Sequence, residues 1–404
     1  MTGVRHPESE FMILDMFAEL QHPAPRSHGV ERRIFLEAIE QARLADEMGF
    51  GCWWAVEHHG SPQFSYSSAP DLMLAVLSQH TERIRLGHSG VLGPFDINHP
   101  MRVAERAAFL DNVSGGRLEL GIARSVPYEW ETFCVDPDVT REQVAEALRI
   151  IPQMWREGPF RYDGKHLRIP ERDVVPKPLQ QPHPPLWVTG ATPEGLENAG
   201  RQGVGVLATI MFSPIETIGE YVGHYRRGLE HCQPVGDFVN RQAACASFFH
   251  CGETVDETIA SGAGEAALWF MNAQAKVFGI PRLDWLEACR GSMPLHKNSN
   301  SGFVPPSDDE GGDLEDPMPV IRLMNRLHAG LEVDPVEVYD ALLPIDSVII
   351  GDVETCRRKL ARYSALGVDR VMCLMQMGHL PHEQVLLSIR AAGKHLIPEL
   401  AAGA

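Results

Sequence analysis

The chain has 404 residues, 44% of them apolar, and a formal net charge of −18. That length allows one large α/β domain or two ordinary ones, and the composition supports a sizeable core. The negative charge argues against nucleic acid and anionic membrane as main partners, because both need clustered positive charge.

Eight cysteines are scattered along the chain with no CxxC pair, so no structural zinc site and no other metal site is expected. Several lie inside apolar runs, where a thiol acts as a small hydrophobe. The polar N-terminus leads into an apolar piece too short for a signal sequence, and no run reaches the roughly 20 apolar residues of a membrane helix. A reduced, cytoplasmic protein is the expectation.

In chain order, residues 11–17 (FMILDMF) read as a first strand. Residues 31–49 read as a helix with Phe35, Ala38, Ile39, Ala42, Ala45 and Met48 on one face and Gly49 as its cap. Residues 51–57 (GCWWAVE) form the second strand, and residues 70–80 a helix with Pro70 in its first turn. Residues 83–92 are the third strand, residues 99–116 a helix between Pro100 and Gly115-Gly116, and residues 117–123 the fourth strand. Thr140 and Gln143 fit a capping box for a helix reaching about Gly158, which Pro152 should kink.

Asp163-Gly164 between extended arms marks a hairpin, and a proline-rich run follows, so residues 159–185 read as an insertion. Strand 186–190 (LWVTG) leads into a helix opened by Thr192-Pro193 and closed at Gly203. Residues 204–210, 242–250 and 368–376 read as three further strands, and residues 347–351 as a short ninth extended piece. Eight strands alternating with helices imply an α/β fold, a (β/α)8 TIM barrel with insertions, over residues 1–404. The runner-up is an open doubly wound sheet, but no GxGxxG follows the first strand. Residues 291–317 lack periodicity and are rich in Gly, Ser, Pro and Asp, which marks either an active-site lid loop or a linker.

In such a barrel chemistry sits at the C-terminal ends of the strands. Glu57-His58-His59, His88-Ser89-Gly90, Arg124-Ser125, Thr189 to Thr192 and Gln376-Met377-Gly378 would then face one mouth. Each has a plain structural reading: a strand-terminal histidine is usually a satisfied core residue, and Arg124 can close a surface ion pair. Neighbouring histidines on an extended strand point to opposite faces, so His58 and His59 make a poor metal pair. The turn at Gly190 and Ala191 is small enough for a ligand to approach the backbone. Thr192 can cap the next helix, whose free N–H groups favour a phosphate. Arg124 can neutralise that phosphate or bond to a ring carbonyl.

The runs VEHH, RIRLGHSGVLGPFDINHPMRVAERAAFLDNVSGGRLELGIARS, VPKPLQQPHPPLWVTGATPEGLENAGRQG and GDVETCRRKLARYSALGVDRVMCLMQMGHLPHEQ resemble the flavin-dependent, bacterial-luciferase-like monooxygenase family, in the family's order, over residues 11–251 and 345–400. The resemblance implies a (β/α)8 barrel that takes reduced FMN from a separate flavin reductase. It reacts the flavin with O2 to a flavin peroxide, which oxygenates a small organic substrate. It implies His58 as the catalytic histidine, a cis peptide at Ser89-Gly90 beside the flavin ring, and Arg124 as a flavin contact. Backbone near Val126, with Gly190, Ala191 and Thr192, would form the phosphate region. A homodimer is expected. The light-emitting α subunit has Cys, Glu-Ser and Phe where this chain has Ala123, Gly190-Ala191 and Gly60, which argues against light emission and puts the phosphate contacts on backbone and Thr192. The competing readings are hydride transfer with a reduced deazaflavin and a non-catalytic flavin-binding partner subunit.

Overall fold

The computed structural model describes residues 12–290 and 311–402, apart from residues 24, 63, 210 and 278. Among these, eight parallel strands form a ring in the order β1 (Ile13–Ala18), β2 (Cys52–Ala55), β3 (Arg85–Leu92), β4 (Leu118–Ala123), β7 (Leu186–Gly190), β8 (Gly205–Ala208), β9 (Ala243–Gly252) and β11 (Arg370–Leu374). Pairing of β8 with β9 and of β11 with β1 closes the ring, which removes the open-sheet alternative. The short ninth strand, β10 (Ile349–Asp352), pairs among the described residues only with β9 and lies outside the ring. The hairpin β5 (Phe160–Asp163) and β6 (Arg168–Arg172) forms a separate antiparallel pair.

Residue choice explains the helix boundaries. Helix α1 (Val30–Met48) stops at Gly49, whose φ of 87° suits a residue without Cβ. Helices α2 (Pro70–Ser78), α3 (Pro100–Val113) and α6 (Pro193–Arg201) each begin on a proline, which lacks only an N–H that the first turn would leave unpaired. Side chains cap two of these three: His99 accepts from the Met101 N–H at 3.2 Å and Thr192 from the Gly195 N–H at 3.1 Å.

The barrel interior is closed near the N-terminal ends of the strands by buried aromatics and charges. Trp54 and Trp187 meet edge to face at 5.2 Å between ring centroids. Each needs a neighbouring glycine: a Cβ on Gly87 would lie 2.1 Å from Trp54, and one on Gly205 2.5 Å from Trp187. Arg370 donates two 2.7 Å hydrogen bonds to Asp15, which also accepts from Trp54 Nε1 at 2.8 Å. Trp187 Nε1 donates to Glu119 at 2.6 Å, and Arg85 pairs with the same carboxylate. Each buried charge thus has an opposite charge and a further hydrogen bond, the condition under which burial is tolerated. This floor leaves the other end of the barrel for a site.

The structure differs from the sequence reading in several places. Helix α5 (Thr140–Trp155) has Val139 at its cap position, and the Thr140 hydroxyl donates to the Pro137 carbonyl at 2.8 Å. Gln143 accepts from the Phe95 N–H at 3.0 Å, so both members of the expected capping box are used elsewhere. Pro152 sits in the last turn of α5, which ends at Trp155, short of Gly158. The β5–β6 hairpin turns through residues 164–167, with the Gly164 N–H donating to the Leu167 carbonyl at 2.9 Å, so Asp163 is in the strand and the turn is longer than Asp-Gly. Five helices for which the sequence reading has no element separate β9 from β10: α8 (Val255–Ala260), α9 (Ala263–Val277), α10 (Arg282–Cys289), α11 (Pro319–His328) and α12 (Pro335–Leu342). Residues 291–310 of the expected lid fall outside the described residues; beyond them, Asp316 is buried and bonded to Arg290 at 3.0 Å.

Candidate active site

A cavity of about 860 Å³ opens at the C-terminal ends of the strands. It is lined by all eight of the site residues that the resemblance implies: His58, Ser89, Gly90, Arg124, Val126, Gly190, Ala191 and Thr192. Phe17, Val56, Phe64 and Met211 supply apolar surface beside them. Five strand-end residues expected at the mouth, His59, His88, Gln376, Met377 and Gly378, are not part of this wall. His88 is buried away from it, and Gln376 is tied to Gln21, donating to its carbonyl at 3.1 Å and accepting its N–H at 2.7 Å. Gly378 donates to the Gln21 side chain at 2.7 Å.

The Glu57-His58-His59 run splits by alternation. Strand β2 ends at Ala55, and the chain continues extended, with the His58 N–H donating to the Ser67 carbonyl at 2.9 Å. Glu57 accepts from the Leu92 N–H at 2.8 Å and from Asn98 Nδ2 at 3.1 Å, which fixes the end of β3. His59 lies 3.3 Å from Glu57 and packs edge-on against Phe133. These two are structural in geometry, and His59 does not line the cavity.

His58 does, and it stands between two carboxylates. Its Nδ1 is 3.0 Å from Glu129 Oε1, and its Nε2 is 3.7 Å from Glu19 Oε2. Glu129 lies on the short helix α4 (Pro127–Thr132) and also accepts from the His59 N–H at 3.2 Å and from the Ser125 hydroxyl at 2.6 Å. Ser125 reaches that position with φ 71°, a left-handed conformation unusual for a side chain with Cβ. Burial opposes a charge on His58, but the Glu19 carboxylate and the hydrogen bond and charge of Glu129 outweigh it and raise its pKa to about 9. Burial pushes Glu19 up to about 7 against the pull of His58. Burial would also raise Glu129, but its bonds to His58, Ser125 and the His59 N–H hold it below the usual carboxylate value. At neutral pH the arrangement is an imidazolium donating from Nδ1 to Glu129, with Nε2–H available to the cavity.

On the next strand the Ser89–Gly90 peptide is cis, as the resemblance implies. A Cβ on Gly90 would lie 2.9 to 3.0 Å from backbone atoms of Gly121, Ile122 and Ala123 on β4, so only glycine fits. Ser89 Oγ is buried without a hydrogen-bond partner among the described residues. A buried hydroxyl in that state at a cavity wall suits a polar ligand edge.

Arg124 follows β4. Its Nε donates to Thr140 Oγ1 at 2.6 Å, an Nη donates to the Pro137 carbonyl at 3.2 Å, and the guanidinium stacks 4.5 Å over Trp130. Burial and the neighbouring Arg141 lower its pKa to about 10, so it stays cationic at neutral pH. Thr140 therefore orients an arginine where a capping box was expected. After β7, Gly190, Ala191 and Thr192 bring the chain to the N-terminus of α6, also at the cavity wall. Together these elements line a cavity of ligand-pocket size that offers an anion-favouring helix start, a buried hydroxyl without a partner among the described residues, and a histidine whose charged form is favoured. That set fits a flavin mononucleotide. The sequence reading passed over Glu19 and Glu129. The first stands two residues beyond the expected strand 11–17. The second is on a six-residue helix whose only signal is Pro127 in its opening turn.

The sequence matches the family described as luciferase-like monooxygenase over residues 12–370. It is 32% identical over 227 residues to the oxygenase component of the flavin-dependent trigonelline monooxygenase of Acinetobacter baylyi, covering 55% of this chain and 61% of that protein. It is 33% identical over 173 residues to 4-hydroxyprotoasukamycin monooxygenase of Streptomyces nodosus subsp. asukaensis, covering 42% and 46%. The chain thus spans 46% to 61% of the length of these curated relatives. Among solved structures it is similar to the monooxygenase RslO1 of Streptomyces bottropensis, with a TM-score of 0.71, 22% identity and coverage of 96% and 99%. It is also similar to the oxygenating constituent of 3,6-diketocamphane monooxygenase from Pseudomonas putida in complex with FMN, with a TM-score of 0.69, 18% identity and coverage of 96% and 98%. At these identities the structural likeness bears on the fold.

Proposed function

The chain belongs to the luciferase-like monooxygenase family, and on that premise we propose that it is the oxygenase of a two-component system, using reduced FMN and O2 to oxygenate a small organic substrate. The observation that carries this reading is the single cavity wall shared by His58, Ser89, Gly90, Arg124, Val126 and the Gly190 to Thr192 turn. A reduced flavin bound there supplies the two electrons that activate O2. The description of a relative as an oxygenase component supports a separate flavin reductase as partner.

The chain's own residues then have distinct tasks. Thr192 and the first turn of α6 hold the phosphate through backbone N–H groups and the helix dipole. Ser89 and Gly90 border the ring, with Ser89 Oγ offering a hydrogen bond and Gly90 a surface without a side chain. Arg124 sets a positive charge at the cavity wall. His58 donates a proton from Nε2 while Glu129 keeps its ring oriented. Phe17, Phe64 and Met211 exclude water and receive the apolar part of the substrate.

The test is oxygen transfer with a flavin reductase, NADH, FMN and a panel of small organic substrates, followed with isotopically labelled O2. Label should enter product only with all components present. His58→Ala should cut product formation by roughly 10²–10⁴-fold, the range for a lost acid–base group, while His59→Ala should do much less. Absence of label in every product, or equal losses for the two variants, contradicts the reading.

A further inference from the structure

We propose that Glu19 is the proton store of the site: a carboxylic acid that reloads His58 Nε2 after that nitrogen has given its proton to the reacting oxygen. The inference rests on the reading of the cavity as an oxygenase site.

The argument begins with the difference between the two carboxylates at His58. Glu129 accepts from three donors, His58 Nδ1–H, the His59 N–H and the Ser125 hydroxyl. A carboxylate with that many donors is held ionised and has no proton to give. Its task is to position the ring. Glu19 is 4% exposed, lines the cavity, and its Oε2 has no hydrogen-bond partner among the described residues. An ionised carboxylate in that setting is costly, and a proton on it removes the cost. The groups that face it are His58, from the segment after β2, and Glu129, from α4; the positive one favours ionisation and the negative one opposes it. Burial, reinforced by the Glu129 charge, outweighs His58 and lifts it to about 7, so near neutral pH Glu19 holds a proton about half the time.

Geometry supplies the route. Glu19 Oε2 and His58 Nε2 are 3.7 Å apart, and a shift of about 1 Å or one water brings them to hydrogen-bond distance. Leu20, with φ 53°, follows Glu19 directly, and Ser65 Oγ donates to the Glu19 carbonyl at 2.6 Å, so the backbone behind the carboxyl is fixed while its side chain faces the cavity. The proton count closes. The Nε2–H bond breaks as an O–H bond forms on the reacting oxygen. The Glu19 O–H bond then breaks as Nε2–H re-forms. Bulk solvent then restores the store: an O–H bond of a hydronium ion at the cavity mouth breaks as the Glu19 O–H bond re-forms, leaving water. No electrons move in these steps.

The expected behaviour is specific. In the parent protein, selectively labelled glutamate should show one carboxyl signal titrating between about pH 6 and 8 by carbon NMR, and Glu19→Gln should remove that signal. Glu19→Gln should lower turnover roughly 10-fold to 100-fold at neutral pH with little change in KM for substrate, and should abolish the fall in turnover that the parent shows as pH rises through about 7. Glu19→Asp should restore part of the rate and the pH limb. The proposal is overturned if no glutamate titrates in that window, or if Glu19→Gln keeps the parent's turnover and pH profile. The carboxyl titration needs no turnover, and loss of the signal in Glu19→Asp assigns it to Glu19 even where Glu19→Gln does not fold. It also separates the two claims: a titrating Glu19 in a protein that never transfers oxygen sinks the oxygenase reading alone.

Discussion

Glu129 Oε1 accepts a hydrogen bond from His58 Nδ1 at 3.0 Å while the same carboxylate is braced by Ser125 at 2.6 Å. The histidine is thereby fixed in orientation and in charge, by a residue that lies 71 positions further along the chain.

That pairing predicts a pH dependence of stability. His58 has its pKa raised to about 9 from an ordinary 6.5, so its contribution is complete below about 6.5 and disappears as pH rises through 9. The thermal midpoint of the ligand-free protein should fall across that window. Glu129→Gln, which lowers the His58 pKa, should flatten the fall and reduce turnover about 10-fold or more through loss of ring orientation. Equal slopes in parent and variant would show that the pair does not carry the linkage.

Thr192 caps α6 by accepting from the Gly195 N–H at 3.1 Å. Thr192→Ala should therefore destabilise the protein by about 1 kcal/mol, the usual cost of a lost cap. It should also weaken FMN binding more than riboflavin binding, because only FMN has the phosphate that this helix start holds. Titration of both flavins against both proteins measures the difference, and a parallel loss for the two would move the phosphate elsewhere.

Gly90→Ala would place a Cβ within 2.9 to 3.0 Å of the β4 backbone at Gly121, Ile122 and Ala123. Backbone cannot rotate away as a side chain can, so the strands must separate, at a cost of about 1–3 kcal/mol. Urea denaturation should show that loss, together with weakened flavin binding. Full stability in the variant would mean that β3 and β4 approach less closely than described.

The barrel floor is tested by Asp15→Asn. Arg370 is 2% exposed and donates two hydrogen bonds to Asp15. Removing the carboxylate charge leaves a buried guanidinium without its counter-ion, which costs about 3–5 kcal/mol. A chemical denaturation midpoint close to the parent's would contradict the assignment of this pair to the core.

Much of the barrel was legible because its signals are local. Apolar runs ending in Gly or Pro mark strands and helix starts, and β1 to β4 and β7 follow them to within a few residues. The five helices between β9 and β10 were not read, since they follow one another without the strand rhythm that identified the barrel. The capping box at Thr140 failed for a tertiary reason: Arg124, sixteen residues earlier, takes the hydroxyl as an acceptor. At the site, His58 and the Gly190 to Thr192 turn were visible as unusual residues at strand ends. Glu19 and Glu129 were not, because a lone carboxylate in a sequence has no partner until the fold brings His58 between the two.

The central claim is that this cavity takes reduced FMN, and the most direct measurement is an anaerobic equilibrium titration of the purified protein. The account predicts saturable binding of reduced FMN, tighter than that of oxidised FMN and weakened by Thr192→Ala. Binding of a reduced deazaflavin with none of reduced FMN would contradict it and turn the same cavity into a site for hydride transfer without oxygen.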